Sequence, residues 1–183
     1  MGLNILIIGN CGVGKTYTIK RIISRLKLIK EERVGLINSI ENENYCVAGR
    51  YDGSTFEGSD KLSMSMMTSL DDFLLSNKNK TVFYEGDRFM NSNFIKKAQP
   101  FIIKITGSGI EGRKKRQSNQ SSRHLSSILT RVNNITPSLE VESSEVCYEL
   151  LIKCITDANK PCEVLFNLNY MKKIFKNHQP SMF

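Results

Sequence analysis

Apolar residues along this 183-residue chain fall into short runs separated by polar, glycine-containing connections. Ile5-Leu6-Ile7-Ile8 has no polar interruption, the pattern of a strand buried on both faces of a parallel sheet. Thr81 to Tyr84 and Phe101 to Ile105 are further runs of the same kind. Between them the spacing changes. Ile19, Ile22, Ile23, Leu26 and Ile29 recur at steps of three and four, which predicts an amphipathic helix directly after the first strand. Val34 to Ser39 and Tyr45 to Arg50, separated by polar residues 41–44, predict a hairpin. Residues 62–75 predict a helix, with Met64, Met67, Leu70 and Leu74 facing the core and Ser59 or Ser63 as its cap. Asn91 to Lys97 predicts a short helix. After Pro137 the chain turns helical, with Cys147, Leu150, Leu151, Cys154 and Ile155 on one apolar face. Val164, Leu168, Met171 and Phe175 form another, in a last helix begun by Pro161.

Strands alternating with helices predict an α/β fold around a central parallel sheet, with ligand bound at the carboxyl ends of the strands. Residues 1–135 are expected to form the core, including a lid at about residues 108–131, and residues 136–183 a helical C-terminal extension packed on it.

The first strand runs straight into Gly9-Asn10-Cys11-Gly12-Val13-Gly14-Lys15-Thr16, and the helix follows. Glycine, four residues, then Gly-Lys-Thr is the Walker A spacing. Its glycines let backbone N–H groups turn inward around phosphate oxygens, Lys15 reaches the β- and γ-phosphates, and the Thr16 hydroxyl ligates Mg²⁺. The helix N-terminus adds its dipole and free N–H groups to the same anion site. The expected class is therefore a three-layer P-loop NTPase binding ATP or GTP with Mg²⁺. The reaction is left open by this motif alone.

Three other stretches carry candidate chemistry. The run Thr81 to Tyr84 ends in Glu85-Gly86-Asp87-Arg88, and a P-loop fold needs an acidic residue there to hold Mg²⁺ or its water. Glu85 or Asp87 would serve; Asp87 is the choice because Arg88 follows it and can bind an acceptor phosphate or the transferring group. Residues 49–61 form a loop dense in Gly, Asp and Ser, in which Arg50, Asp52, Glu57, Asp60 and Lys61 stand beside two aromatics, a composition suited to gripping a base and a phosphate. The basic cluster of Arg113, Lys114, Lys115 and Arg116, followed by a polar stretch and then Arg123, His124 and Arg131, has the make-up of a lid. Arginines closing on a triphosphate are worth about 10³- to 10⁵-fold in rate; the same cluster could track a DNA backbone.

The formal charge of +8 sharpens this picture. Residues 1–95 are nearly balanced and almost the whole excess lies in residues 96–183, which fits phosphate-bearing partners. Five cysteines, odd in number and without metal-ligand spacing, are expected as reduced thiols, and the two histidines are too far apart in sequence to support a zinc site. No apolar stretch reaches the roughly 18 residues needed to cross a bilayer, and Met1-Gly2-Leu3 leads directly into a core strand. A cytoplasmic protein with no membrane partner is expected; oligomeric state is not legible.

Taken together, Gly9 to Thr16, Arg50-Tyr51-Asp52-Gly53 through Phe56 to Met64, Gly86-Asp87-Arg88-Phe89, Ser118-Asn119-Gln120 and Arg131 to Ile135 resemble bacteriophage P-loop kinases, in particular the 5-hydroxymethyluracil DNA kinases. The likeness covers roughly residues 3–135, and the Gly86 to Phe89 pattern is also similar to that of thymidylate kinase. The resemblance implies transfer of the ATP γ-phosphoryl group to the hydroxymethyl oxygen of a modified pyrimidine in DNA. On this reading Lys15 and Thr16 hold phosphates and metal, Asp87 holds metal or water, and Arg88, Arg113 and Arg116 neutralise phosphoryl charge. Polynucleotide kinases place an Asp just after their P-loop; this chain has none there, so Asp52 is the candidate base. A kinase of a free nucleoside or nucleoside monophosphate is the alternative. An NTP-binding switch or motor is a third reading, against which stands the lack of a guanine-reading Asn-Lys-x-Asp motif.

Overall fold

The computed structural model describes residues 2–54, 57–115, 117 and 119–156. They form an α/β fold of seven strands and six helices. The strands are β1 (Asn4–Gly9), β2 (Lys30–Val34), β3 (Ile37–Glu41), β4 (Tyr45–Ala48), β5 (Thr81–Glu85), β6 (Phe101–Ile105) and β7 (Leu139–Val141). The helices are α1 (Lys15–Leu26), α2 (Leu70–Ser76), α3 (Ser92–Ala98), α4 (Ile110–Lys115), α5 (Ser122–Asn133) and α6 (Ser144–Thr156). The sheet order is β2-β3-β4-β5-β1-β6-β7. The five strands from β4 to β7 are parallel, and β3 and β2 extend the β4 edge in antiparallel fashion.

Alternation along β1 creates two cores. Ile5 and Ile7 pack with α1 and α6, through Ile19, Ile22, Cys147, Leu150, Leu151 and Cys154. Leu6 and Ile8 face the other way, onto Leu70, Phe73, Phe94, Ile128 and Val132 of α2, α3 and α5. Helices thus cover both faces of the sheet in three layers, as a sheet buried on both sides requires. Tyr84 of β5 anchors the second core, with the Phe89 and Phe94 rings edge-on at 4.8 and 4.7 Å between centroids. Its hydroxyl donates to Asn4 Oδ1 at 3.0 Å, so the buried phenol keeps a partner. No helix among the described residues is long and apolar enough to cross a membrane.

Several expectations from the sequence change here. The first helix stops at Leu26, because Lys27 takes the left-handed conformation (φ 52°). Ile29 is therefore off the helical face and 85% exposed, while Leu28 turns into the core. The run Val34 to Ser39 is broken by a turn at Gly35-Leu36, and the charged segment Lys30–Val34 forms an edge strand that apolar periodicity could not reveal. The expected hairpin survives as β3 and β4, with β4 ending at Ala48. Within residues 62–75 only the end is α-helical. Met66–Ser69 is a 3-10 turn, Met64 points to solvent, and Met66 is the buried methionine. Neither expected cap serves α2; Ser69 stands at its N-cap, and its hydroxyl accepts instead from Leu36 N at 3.0 Å. Residues 136–156 are not purely helical, since β7 adds a seventh strand beside β6. The helix begun by Pro161 lies outside the described residues.

The short helix α3 forms as expected, and its start has a clear cause. Asn91 sits at the N-cap and its side chain accepts from Phe94 N at 2.8 Å. Asn91→Ala is expected to lower unfolding free energy by about 1 kcal/mol, read by urea denaturation.

Candidate functional site

The parallel sheet reverses its winding at β1: the chain goes from β1 out to one side and, after β5, crosses to β6 on the other. Such a switch point opens a crevice at the carboxyl ends of the strands. Here it is a cleft of about 1400 Å³. Its floor is the Gly9 to Thr16 loop, which leaves β1 and enters α1 at Lys15 with Gly14 (φ 95°) at the N-cap. The first turn of α1 holds no acidic residue, so nothing in it opposes an anion at this helix end.

Lys15 Nζ lies over the loop, donating to Gly9 O at 2.9 Å and Asn10 O at 3.0 Å. Thr16 Oγ1 donates to both carboxylate oxygens of Glu85, at 3.0 and 3.2 Å. Strand register explains that contact. Glu85 pairs with Ile7 as the last residue of β5, and is 3% exposed beside the loop. Gly86 then turns the chain away (φ 79°), so Asp87 leaves the strand line and pairs with Arg131 of α5. The acidic residue joined to Thr16 is thus Glu85, while Asp87, chosen from the sequence, stands further along the wall. Hydroxyl and carboxylate oxygens are the hard donors that suit Mg²⁺. Thr16 and Glu85 form the nearest such pair, with Asp60 and Asp87 lining the same cleft.

The opposite wall comes from the loop after β4. Arg50 and Gly58 pair across its neck, at 3.1 and 2.7 Å. The chain then enters a 3-10 turn, Ser59–Lys61, that packs on the 3-10 turn Asp87–Phe89. This packing puts Asp60 in the cleft facing Lys15, Asp87, Arg88 and His124. Desolvation by the surrounding wall, reinforced by Asp87, pushes the Asp60 carboxyl above its usual value, against the pull of Lys15, Arg88 and His124. Asp52 is placed differently. It caps Ser54 N at 3.2 Å, pairs with Arg50 at 3.2 Å and Lys61 at 3.9 Å, and does not line the cleft. The Ser54 hydrogen bonds hold its carboxyl below the ordinary range.

The basic segment folds as two helices. α4 lies against the backbone of the Gly9 to Thr16 loop, and the contact is made by glycines: a Cβ on Gly112 would stand 2.0 Å from Gly12 O. Arg113, expected to face phosphoryl charge, instead donates to Cys11 O at 2.7 Å and Ser108 O at 3.1 Å, holding the loop from behind. Arg116 lies outside the described residues. α5 begins at the Ser121 cap, whose hydroxyl accepts from His124 N at 3.3 Å, and turns one face to the cleft. Cys11, Gly12, Val13, Gly14, Lys15, Thr16, Asp87 and Arg88 all line the cleft, as expected of a single site; Gly9 and Asn10 lie behind the lining. The sequence placed Asp60 only in the loop suited to gripping a base and a phosphate, and His124 and Arg131 only in the basic lid cluster; Gln120 carried no individual role. The four-residue steps from Gln120 to His124 to Ile128 were the available signal for this helix face.

Buried polar atoms without a hydrogen-bond partner among the described residues gather around this cleft. Asn10 Oδ1, Ser59 Oγ, Arg88 Nε, Gln120 Oε1 and Arg131 Nε all belong to its walls or floor or to the residues directly behind them. Native interiors hold few such atoms, and a cluster of them is where a polar ligand would be received. Compared with protein-family models the chain matches none, and a search of curated proteins gives no match.

Proposed function

We propose that this chain is an ATP-dependent P-loop kinase that phosphorylates the 5-hydroxymethyl group of a modified uracil in DNA. The observation that carries the reading is the pairing of two walls across one cleft. A Walker A loop with Lys15 and Thr16-Glu85 faces a second wall bearing Asp60, Arg88 and the Asp87-Arg131 pair. An NTP switch needs only the first wall; a phosphotransferase needs both, because donor and acceptor must meet in line.

The residues divide the work as follows. Loop N–H groups and the α1 N-terminus cradle the phosphates, and Lys15 moves from the Gly9 and Asn10 carbonyls to the β- and γ-oxygens. Thr16 and Glu85 would hold Mg²⁺, which would supply neutralisation of triphosphate charge. Asp60 accepts the proton of the acceptor hydroxyl as its oxygen attacks the γ-phosphorus and the bond to the β-bridging oxygen breaks, releasing ADP. Arg88 neutralises the phosphoryl oxygens. Arg113 acts through the loop it supports. The base role given to Asp52 from the sequence passes to Asp60, the acid that lines the cleft.

The test is transfer of γ-labelled phosphate from ATP to DNA containing 5-hydroxymethyluracil, run beside unmodified DNA, thymidine monophosphate and free hydroxymethyldeoxyuridine, with Lys15→Ala as the blank. Label is expected in the modified DNA alone. Label only in a free nucleoside or nucleotide moves the protein to precursor metabolism, and label in no acceptor removes the kinase reading in favour of an NTP switch.

A further inference from the structure

The inner face of α5 is the part of the cleft that phosphate chemistry leaves unused. Gln120, just before the helix, then His124 and Ile128 follow at four-residue steps and all line the cleft. One turn further Arg131 reaches Asp87. A wall built for phosphate would repeat cations along this stripe. Instead it carries an amide, an imidazole and an aliphatic side chain, and Ile128 shares its buried apolar surface with Met90, each 5% exposed. Gln120 Oε1 is buried and has no hydrogen-bond partner among the described residues. A buried acceptor left unmet is unfavourable, so the position marks where a ligand's donor enters.

We propose that Gln120 reads the Watson–Crick edge of the acceptor base and selects a uracil-type ring over a cytosine-type ring, an assignment that rests on the kinase reading above. A uracil ring offers N3–H to Oε1 and accepts from the amide Nε2 at O4, two parallel hydrogen bonds of the bidentate kind. Cytosine presents a bare N3 acceptor to the same oxygen and must force the amide to turn over. His124 and Ile128 supply the surface on which a flat ring rests, and His124 faces Asp60. The ring so held lies beside the carboxylate that faces Lys15. One consequence concerns access: the Watson–Crick edge is occupied inside a duplex, so the base is read unpaired, in a single strand or flipped out of the helix.

The experiment measures initial rates of the whole chain at saturating ATP on single-stranded oligonucleotides carrying one 5-hydroxymethyluracil or one 5-hydroxymethylcytosine. These acceptors share the reacting hydroxyl and differ at the edge Gln120 would read. Wild type is expected to prefer the uracil acceptor by about tenfold to a hundredfold in kcat/KM. Q120L is expected to raise the uracil-acceptor KM by a similar factor, leave the KM for ATP unchanged, and bring the two acceptors level. Should Q120L lose thermal protection by ATP, the isosteric Q120E replaces it; it keeps an acceptor for N3–H, loses the donor to O4, and falls between wild type and level. An unchanged acceptor KM and unchanged preference in a variant that still binds ATP overturns the Gln120 assignment and leaves the kinase standing. Transfer to neither oligonucleotide nor any free nucleoside overturns the kinase reading, and this assignment with it.

Discussion

Asp60→Asn is expected to lower kcat by about 10²- to 10⁴-fold while leaving the KM for ATP within a few-fold of wild type. The carboxylate faces Lys15 and Arg88 across the cleft; on the proposed kinase reading its loss removes the proton acceptor and spares the Gly9 to Thr16 loop. The pH profile carries a second signature. A base works when ionised, and the Asp60 carboxyl is raised above its usual range by desolvation and by Asp87. The acid limb of kcat should therefore lie above the ordinary aspartate value of about 3.9, with activity rising as pH increases through it. Stability should move the other way. A group whose folded-state pKa is raised binds its proton more tightly in the native chain, so its presence favours folding less as pH climbs through that value. An amide at this position removes the penalty, and the melting temperature of Asp60→Asn at neutral pH should equal or exceed that of wild type. Lost turnover with a lower melting temperature would instead make Asp60 a structural residue. Asp52→Asn is the matched control, since its carboxylate is tied to Ser54, Arg50 and Lys61 away from the cleft.

The second large effect comes from adding one methyl group. Gly112 lies inside α4, where helix propensity alone predicts that Gly→Ala stabilises by roughly 0.5–1 kcal/mol. The contact predicts the reverse, because that methyl would stand 2.0 Å from Gly12 O and 2.9 Å from Gly12 C. These are backbone atoms of the phosphate loop, without a flexible end that could swing aside. Gly112→Ala must then lift α4 from the loop and break the Arg113 contacts to Cys11 O and Ser108 O. A cost of about 1–3 kcal/mol is expected, as for other overpacked sites, together with weaker ATP binding. Thermal melting with and without ATP measures both. A variant more stable than wild type with undiminished ATP affinity would show that α4 does not lean on the loop.

The sequence made some of this architecture legible because local pattern and tertiary role agreed. The passage from β1 through the glycine loop into α1 could be read directly, since buried strand, phosphate-type turn and amphipathic helix each announce themselves. Asn91 likewise announced α3. Lys30–Val34 could not be read, because an edge strand presents charge where a pattern search looks for apolar residues. The three residues of β7 were too few to carry a period. At the site, the choice between Glu85 and Asp87 depended on where β5 ends and on the turn at Gly86, which only the register against β1 decides. Asp52 alone was named from the sequence as a candidate base; that Asp60 lines the cleft and Asp52 does not goes with the Arg50-Gly58 closure, a contact between residues eight apart. For Arg113 the sequence shows a guanidinium in a basic run; that it donates to the Cys11 and Ser108 carbonyls follows from how close α4 lies to the Gly9 to Thr16 loop, which no local pattern reveals.

The charged rim formed by β2 also bears on how neighbouring copies behave. Lys30, Glu31, Glu32 and Arg33 run along the border of the sheet that no other described strand covers, where backbone groups would otherwise invite another strand. Another strand adding there would have to strip water from the Lys30 ammonium, the Glu31 and Glu32 carboxylates and the Arg33 guanidinium, which disfavours growth of the sheet at this border.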